Sequence, residues 1–200
     1  MGKTIMGVAA VSLDGFIADD NDDVGPLFDW LGRGDATWTL PGGDHEPARS
    51  SRASAEFMTS HYRNVAANVI GRRLFDLTDG WNGKPAVGEH VFVVTHRAPT
   101  DWEHAGTAPF TFVDDVEKAI AAARAFARDR DVDVAGGQIG SQALELGLID
   151  QVVVNLVPVV FGSGRPFFAT GALPEPLLFE NPSAVVQADR VTHFVYDISR

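Results

Sequence analysis

Apolar residues at the start of the chain do not alternate with polar ones. Ile5, Met6, Val8, Ala9 and Val11 make a near-continuous run from Thr4 to Ser12, the pattern of a strand buried on both faces, and Leu13-Asp14-Gly15 ends it as a turn. Residues 19 to 49 are rich in Asp, Gly, Pro and Trp without helical periodicity, which predicts a long, partly ordered loop carrying Trp30 and Trp38. From Ser51 to Asn64, Ala55, Met58 and Tyr62, continued by Val65, recur at helical spacing, and Asn68 to Gly71 comes next as a short strand. Strands are expected at Glu89 to Thr95 and Phe110 to Val113. Asp114 and Asp115 then suit the N-terminus of an alanine-rich helix, Val116 to Arg130, whose acidic start and basic end complement the helix dipole. Asp131 to Ala135 returns to strand, Gly136-Gly137 breaks it, and Gln138 to Gly147 forms a helix with Ile139, Ala143 and Leu144 inward.

After Asp150 the pattern changes. Val152 to Phe161, Leu177 to Val186 and Val191 to Ile198 read as strands with no helices between them, so the sheet should end in antiparallel pairing. The fold class is therefore α/β, with a mostly parallel central sheet, antiparallel C-terminal strands and helices on both faces. At 200 residues and 45% hydrophobic, the chain supports one sizeable core and a single domain spanning residues 1–200.

Charge and composition narrow the function. A net charge of -11 repels a polyphosphate backbone, so no nucleic-acid partner is expected. No stretch approaches the roughly 18 to 20 apolar residues of a membrane span, and the first residues run directly into a strand, so no membrane partner or secretion is expected. With no cysteine, disulfides and thiolate metal sites are excluded, which fits a cytoplasmic protein. The six histidines show no metal-site spacing, so no catalytic metal is expected. A small phosphorylated ligand remains, because a few arginines and backbone N–H groups bind one whatever the overall charge.

Three constellations fit such a ligand. In Val69-Ile70-Gly71-Arg72-Arg73-Leu74 a strand opens through glycine into a helical start with two arginines, either an anion site or a surface arginine pair after a turn. Val93-Val94-Thr95-His96-Arg97 ends a strand in three donors that suit a ribose phosphate, or are simply solvated. Asp133-Val134-Ala135-Gly136-Gly137-Gln138-Ile139-Gly140 again passes from strand through glycine to helix, either a pyrophosphate loop or a tight turn. Its glycines stand as G-G-x-x-G rather than G-x-G-x-x-G.

Taken in order, Val11-Ser12-Leu13-Asp14-Gly15-Phe16-Ile17-Ala18, Ile70-Gly71-Arg72-Arg73, Val94-Thr95-His96-Arg97, Gly136-Gly137-Gln138-Ile139-Gly140, Gly147-Leu148-Ile149-Asp150 and Pro158-Val159-Val160-Phe161-Gly162-Ser163-Gly164 resemble the dihydrofolate reductase-like family. The S-L-D-G-F-I-A segment leans toward its RibD C-terminal, riboflavin-biosynthesis branch. The resemblance implies a sheet of about eight strands with NADPH across its carboxyl edge. It assigns Gly71, Arg72 and Arg73 to the adenosine phosphate, and Thr95, His96 and Arg97 to the ribose 2′-phosphate. Gly136, Gly137, Gln138, Ile139 and Gly140 fall to the pyrophosphate, with a cis peptide between the two glycines, and Ala10 and Ile17 flank the nicotinamide.

The family's carboxylate on the first helix falls at or within a residue of Glu56, which is either the catalytic acid or an exposed helix residue. The tryptophans of the 19–49 segment either cover a flat heterocycle or pack. Asp14 is read as a turn former. The implied activity is hydride transfer from NADPH to a C=N or C=O of a small, flat, polar heterocycle such as a pteridine or ribosylaminopyrimidine, with Glu56 or water as proton source. The alternative is a non-catalytic NADPH-binding sensor on the same fold. The branch resemblance, with the apolar run from Val152 to Phe161, also implies a homodimer.

Overall fold

The computed structural model describes residues 2–7, 9–42, 46–171, 173 and 175–198. The first apolar run enters the centre of a sheet, as β1 (Thr4–Gly7) and β2 (Ala10–Ser12). The chain continues through β3 (Phe16–Ala18), a 3-10 turn (Gly25–Leu31), β4 (Ala36–Trp38), β5 (Ala48–Ser50), α1 (Arg52–Tyr62), β6 (Val65–Gly71), α2 (Arg72–Gly83), β7 (His90–Val94) and β8 (Phe110–Val113). It then forms α3 (Val116–Ala127), β9 (Asp131–Ala135), α4 (Gln138–Glu145), β10 (Gln151–Val157), β11 (Arg165–Pro166), β12 (Ala184–Ala188) and β13 (Val191–Asp197). The main sheet runs β12-β13-β10-β1-β9-β6-β7-β8, with β2 also paired to β10. Pairing is parallel from β10 to β8 and antiparallel for β10-β13 and β13-β12. The main sheet has nine strands rather than about eight, because the first run is interrupted.

That interruption is a change of register. Met6 lies opposite Val152 and Ala10 opposite Asn155, so four steps along the first strand match three along β10. One extra residue on one strand of a pair is a β-bulge, which bends the strand and re-aims the residues beyond it. Val8, read as part of the run, lies outside the described residues. Before the bulge β1 also pairs with β9, ending at Gly7 opposite Ala135, whereas after it β2 pairs with β10. Beyond Ala135 the chain turns away into α4, so β2 and the end of β9 part at the sheet's carboxyl edge, where open α/β sheets bind their ligands.

Helices cover both faces. Val69, Val132 and Val134 pack under Ala119, Ile120 and Ala123 of α3 and Ala143 and Leu144 of α4. On the other face Ile70, Val91 and Val93 pack with Phe75 of α2 and with Trp102, while Ile5, Val153 and Val195 meet Phe57 of α1. Helix α2 is regular only to Thr78, and Asp79 to Asn82 make a left-handed turn held in part by Trp102 Nε1–H donating to the Asp79 carbonyl at 3.3 Å. The 19–49 segment is more ordered than its composition predicts. Leu27, Trp30 and Trp38 are buried against Ala55, Met58 and Tyr62, and the β4–β5 hairpin is pinned by Trp38 Nε1–H to Ser50 Oγ at 2.9 Å. Both tryptophans pack, and truncating a buried ring such as Trp30 costs about 3–5 kcal/mol. Residues 43–45 of that segment lie outside the described residues.

One buried pair runs against the apolar grain of the sheet. Asp133 on β9 is fully buried directly opposite Asn68 on β6, and neither its carboxylate oxygens nor Asn68 Oδ1 has a hydrogen-bond partner among the described residues. Burial pushes the Asp133 carboxyl well above the usual carboxylate range.

Candidate active site

In the parallel part of the sheet, each helix runs back antiparallel to its strand, so the helix N-termini gather at the carboxyl edge. Two of them are closed by the chain itself. Ser51 caps α1 by accepting from Ser54 N–H at 3.4 Å, and Asp115 caps α3 by accepting from Lys118 N–H at 2.9 Å. Helices α2 and α4, which leave the adjacent strands β6 and β9, begin on Gly71 and Gly137 with no side-chain cap. Their first-turn N–H groups have no partner within the helix, and the dipole makes both ends attractive to an anion. The two ends are close: a β-carbon on Gly71 would stand 3.0 Å from Ile139 Cγ1, in the first turn of α4.

The expected cis peptide between Gly136 and Gly137 is not found, as no described residue has one. The turn is made by torsion instead, with Gly137 at φ 84° and ψ -145°, a region that a β-carbon closes to other residues. Gly137 N–H donates to the Phe167 carbonyl at 2.7 Å, and a β-carbon on Gly136 would stand 2.6 Å from the Phe167 ring. Gln138, Ile139 and Gly140 form the first turn of α4, and Ile17 Cδ1 lies 3.7 Å from where a Gly137 β-carbon would be. The glycine loop and Ile17 therefore lie side by side at the carboxyl edge.

The cationic residues divide into two groups. Arg72 donates from Nε to Asp76 at 2.7 Å and from its guanidinium to the Arg97 carbonyl at 2.6 Å, tying α2 to the turn after β7. Thr95 Oγ1 shapes that turn, donating to the Arg97 carbonyl at 3.0 Å and accepting from Arg97 N–H at 3.3 Å. His96 and Arg97 are exposed, and the Arg97 guanidinium has no hydrogen bond or ion pair among the described residues. Gly71, Arg72, Thr95, His96 and Arg97 are thus brought together at the ends of neighbouring strands. Arg73 is engaged elsewhere. It forks onto Asp22, which also accepts from Arg165 Nε at 2.8 Å, and the Arg73 hydrogen bond, joined by that of Arg165, holds the Asp22 carboxyl down to about 2. Asp22 and Arg165 were not legible as partners, because 143 positions separate them.

Two motifs bind one another. Asp14 accepts from Ser12 Oγ at 2.6 Å and from Gly162 N–H at 2.7 Å, so the S-L-D-G turn is clipped to the P-V-V-F-G-S-G segment. Those bonds, Ser12 first, lower the Asp14 carboxyl and leave it a turn residue. Ala10 is buried against the core that holds Leu27 and Trp30, and Ile17 is half-buried beside Gly137. Glu56 stands apart from the clustered residues. The inward positions of α1 are Ser54, Ala55, Met58 and Tyr62; Glu56 is exposed, without a described partner, and lines a groove of about 440 Å³ between α1 and β4 with Trp38, Arg52, Thr59 and Arg63.

No protein-family model matches the chain. YwjB, an uncharacterized protein of Bacillus subtilis (strain 168), is 24% identical over 177 residues, covering 83% of this chain and 82% of its own. A putative riboflavin biosynthesis protein from Shewanella sp. PV-4 superposes with a TM-score of 0.71 at 22% identity, each chain covered completely. A pyrimidine reductase-like protein from Corynebacterium diphtheriae gives 0.61 at 12% identity, over 99% of this chain and 92% of that one. The chain shares their fold. It also matches a diaminohydroxyphosphoribosylaminopyrimidine deaminase/5-amino-6-(5-phosphoribosylamino)uracil reductase from Thermotoga maritima, with a TM-score of 0.62 at 18% identity, spanning 57% of that protein's length. The α/β architecture expected from the sequence, parallel with an antiparallel C-terminal end, is the one found.

Proposed function

We propose that the chain is an NADPH-dependent reductase acting on a small, flat, polar heterocycle of the pteridine or ribosylaminopyrimidine kind. The observation that carries this reading is the pair of uncapped glycine helix starts on adjacent strands, beside Arg72 and the unpaired Arg97. Those residues fit a dinucleotide phosphate: Arg72, Thr95, His96 and Arg97 would hold the 2′-phosphate, Gly71 the adenosine side, which Arg73 would join on leaving Asp22, and Gly136 to Gly140 the pyrophosphate. Ala10 and Ile17 would border the nicotinamide. The shared fold with a riboflavin biosynthesis protein and a pyrimidine reductase-like protein supports the substrate class. Bound NADPH would supply the hydride, and the carboxyl edge between β2 and α4 would orient the acceptor and limit water.

The decisive measurement is NADPH oxidation across a panel of such heterocycles, together with calorimetric titration of NADPH and NADH. Turnover with at least one compound and much tighter binding of NADPH are expected, whereas equal affinity for the two nucleotides overturns the 2′-phosphate assignment. The proton comes from Glu56 or from water. If from Glu56, Glu56→Gln slows turnover by a factor of about 100, and an unchanged rate at all pH values assigns it to water. The homodimer belongs to the same reading. Beyond the face packed on α1, Phe194 stands opposite both Val154 and Val185, and Val185 is exposed, an apolar stripe suited to a twofold contact. Light scattering that returned the 21.5 kDa of one chain would contradict it.

A further inference from the structure

Helix α1 turns Ser54 inward, where Ser54, His193 of β13 and Asn155 of β10 are all buried. Ser54 Oγ lies 2.9 Å from His193 Nε2, His193 Nδ1 lies 2.8 Å from Asn155 Oδ1, and Asn155 Nδ2–H donates to the Ala9 carbonyl at 3.1 Å. That terminal carbonyl sets the direction of every bond. It can only accept, so Asn155 turns its NH₂ to Ala9 and its oxygen to His193. His193 must then carry its proton on Nδ1, and its bare Nε2 accepts from the Ser54 hydroxyl. Phe57 stacks on the imidazole at 4.4 Å and Trp30 meets it edge-on at 5.5 Å. Burial holds the ring down to about 4, so it is neutral near pH 7 and the direction persists.

Hydroxyl, imidazole and amide in this order resemble a nucleophile, its base and an orienting group, but Ser54 is completely buried and no substrate can reach it. The other end of the chain is the informative one. Between Met6 and Ala10, a stretch that includes Ala9, one strand has a residue more than its partner, and at such a place backbone groups fall outside the ladder. Asn155 satisfies the Ala9 carbonyl from the neighbouring strand. A slip of one residue here would exchange the faces of the rest of the strand: Ala10 now packs with Leu27 and Trp30, and Val11 with the opposite core.

We propose that Ser54, His193 and Asn155 are positioning residues that lock the bulge at Ala9 and so fix the Ala9–Ala10 backbone against which the nicotinamide lies. This rests on the coenzyme reading of the carboxyl edge. None of the three touches the ring, and they act through the backbone alone.

The test compares the wild-type chain with Asn155→Ala, Ser54→Ala, Ser54→Thr and Val195→Ala, by NADPH fluorescence titration, urea unfolding and ¹⁵N NMR of the histidine rings. Val195 is the control, buried on β13 two residues from His193 and outside the hydrogen-bonded chain. The wild type should show His193 as the neutral Nδ1–H tautomer. Asn155→Ala should weaken NADPH about tenfold or more and Ser54→Ala several-fold, the size of effect that supporting residues have on a bound group. Ser54→Thr should restore affinity to about the wild-type value, and Val195→Ala should lose stability but keep affinity within about twofold. The proposal is overturned if Asn155→Ala and Ser54→Ala bind NADPH as tightly as the wild type, if Val195→Ala weakens binding as much as they do, or if the ring carries its proton on Nε2. A wild type that fails to bind NADPH sinks the coenzyme reading itself, a result distinct from tight binding by every variant.

Discussion

Helices α1 and α3 begin on Ser51 and Asp115, whose side chains close their own helix ends, whereas α2 and α4 begin on Gly71 and Gly137, which cannot. A good side-chain cap is worth about 1 kcal/mol, so the second pair forgoes a stabilisation the first pair has. The forgone caps are not scattered. They lie at the ends of adjacent strands, beside arginines, on the edge where the sheet splits. The contrast separates helix ends that the chain closes itself from helix ends that it leaves open, the pair proposed above to meet the coenzyme phosphates.

Four measurements can break or sharpen this contrast. The largest effect belongs to the side that completes its own bonds. His193 falls from an ordinary 6.5 to about 4 on folding, so its neutral form stabilises the chain fully above pH 6.5, and that contribution is lost as pH falls through 4. The loss is about 3 kcal/mol. Urea unfolding of the wild type and His193→Gln at several pH values should show this slope in the wild type alone; parallel curves would remove His193 from the account. Next, Gly137→Ala should weaken NADPH by roughly 2–3 kcal/mol, because φ 84° with ψ -145° is closed to alanine. Gly147→Ala, at φ 66° with open space around it, should cost about 1 kcal/mol of stability and leave affinity unchanged. Equal affinity losses at the two sites would erase the distinction.

Arg97→Ala should then cost about 2 kcal/mol of NADPH affinity and none of NADH affinity. Its guanidinium has no described partner, so the melting temperature should not move. A matched loss for both nucleotides would place Arg97 away from the 2′-phosphate. The smallest change is on the capped side, where Ser51→Ala should lower unfolding free energy by about 1 kcal/mol with NADPH binding intact. If it weakened NADPH instead, α1 would belong with α2 and α4.

How much of this was legible depends on whether the signal was local. Glycine after a strand and before a helix marked both open helix ends, and the acidic start of α3 marked a closed one. The mostly parallel sheet with its antiparallel end could be inferred from helices that stop after Asp150. The bulge was hidden, because Ile5 to Val11 is one unbroken apolar run and nothing in it shows where the extra residue falls. The β4–β5 hairpin was hidden by the Gly- and Pro-rich composition that carries it. The helical start at Arg72 was visible, but Thr78-Asp79-Gly80-Trp81-Asn82 has no helical period and ends in a left-handed turn. Within the candidate site, Arg73 was legible as a cation but not as the partner of Asp22, and Glu56 was legible by position on α1 but not by the direction it faces. Ser54, His193 and Asn155 come from three distant segments, and only the tertiary structure joins them.

The two buried titrating groups pull the proton balance of folding in opposite directions. At pH 5 the unfolded chain carries a protonated His193 and an ionised Asp133. In the folded chain the imidazole is neutral, while burial pushes the Asp133 carboxyl toward its protonated form. Folding therefore releases a proton at His193 and favours proton uptake at Asp133. The slopes of stability with pH that each group would impose alone oppose one another above pH 4, rising for His193 and falling for Asp133. Calorimetric unfolding near pH 5 in buffers of different ionisation enthalpy should show that Asp133→Asn releases more protons on folding than the wild type does.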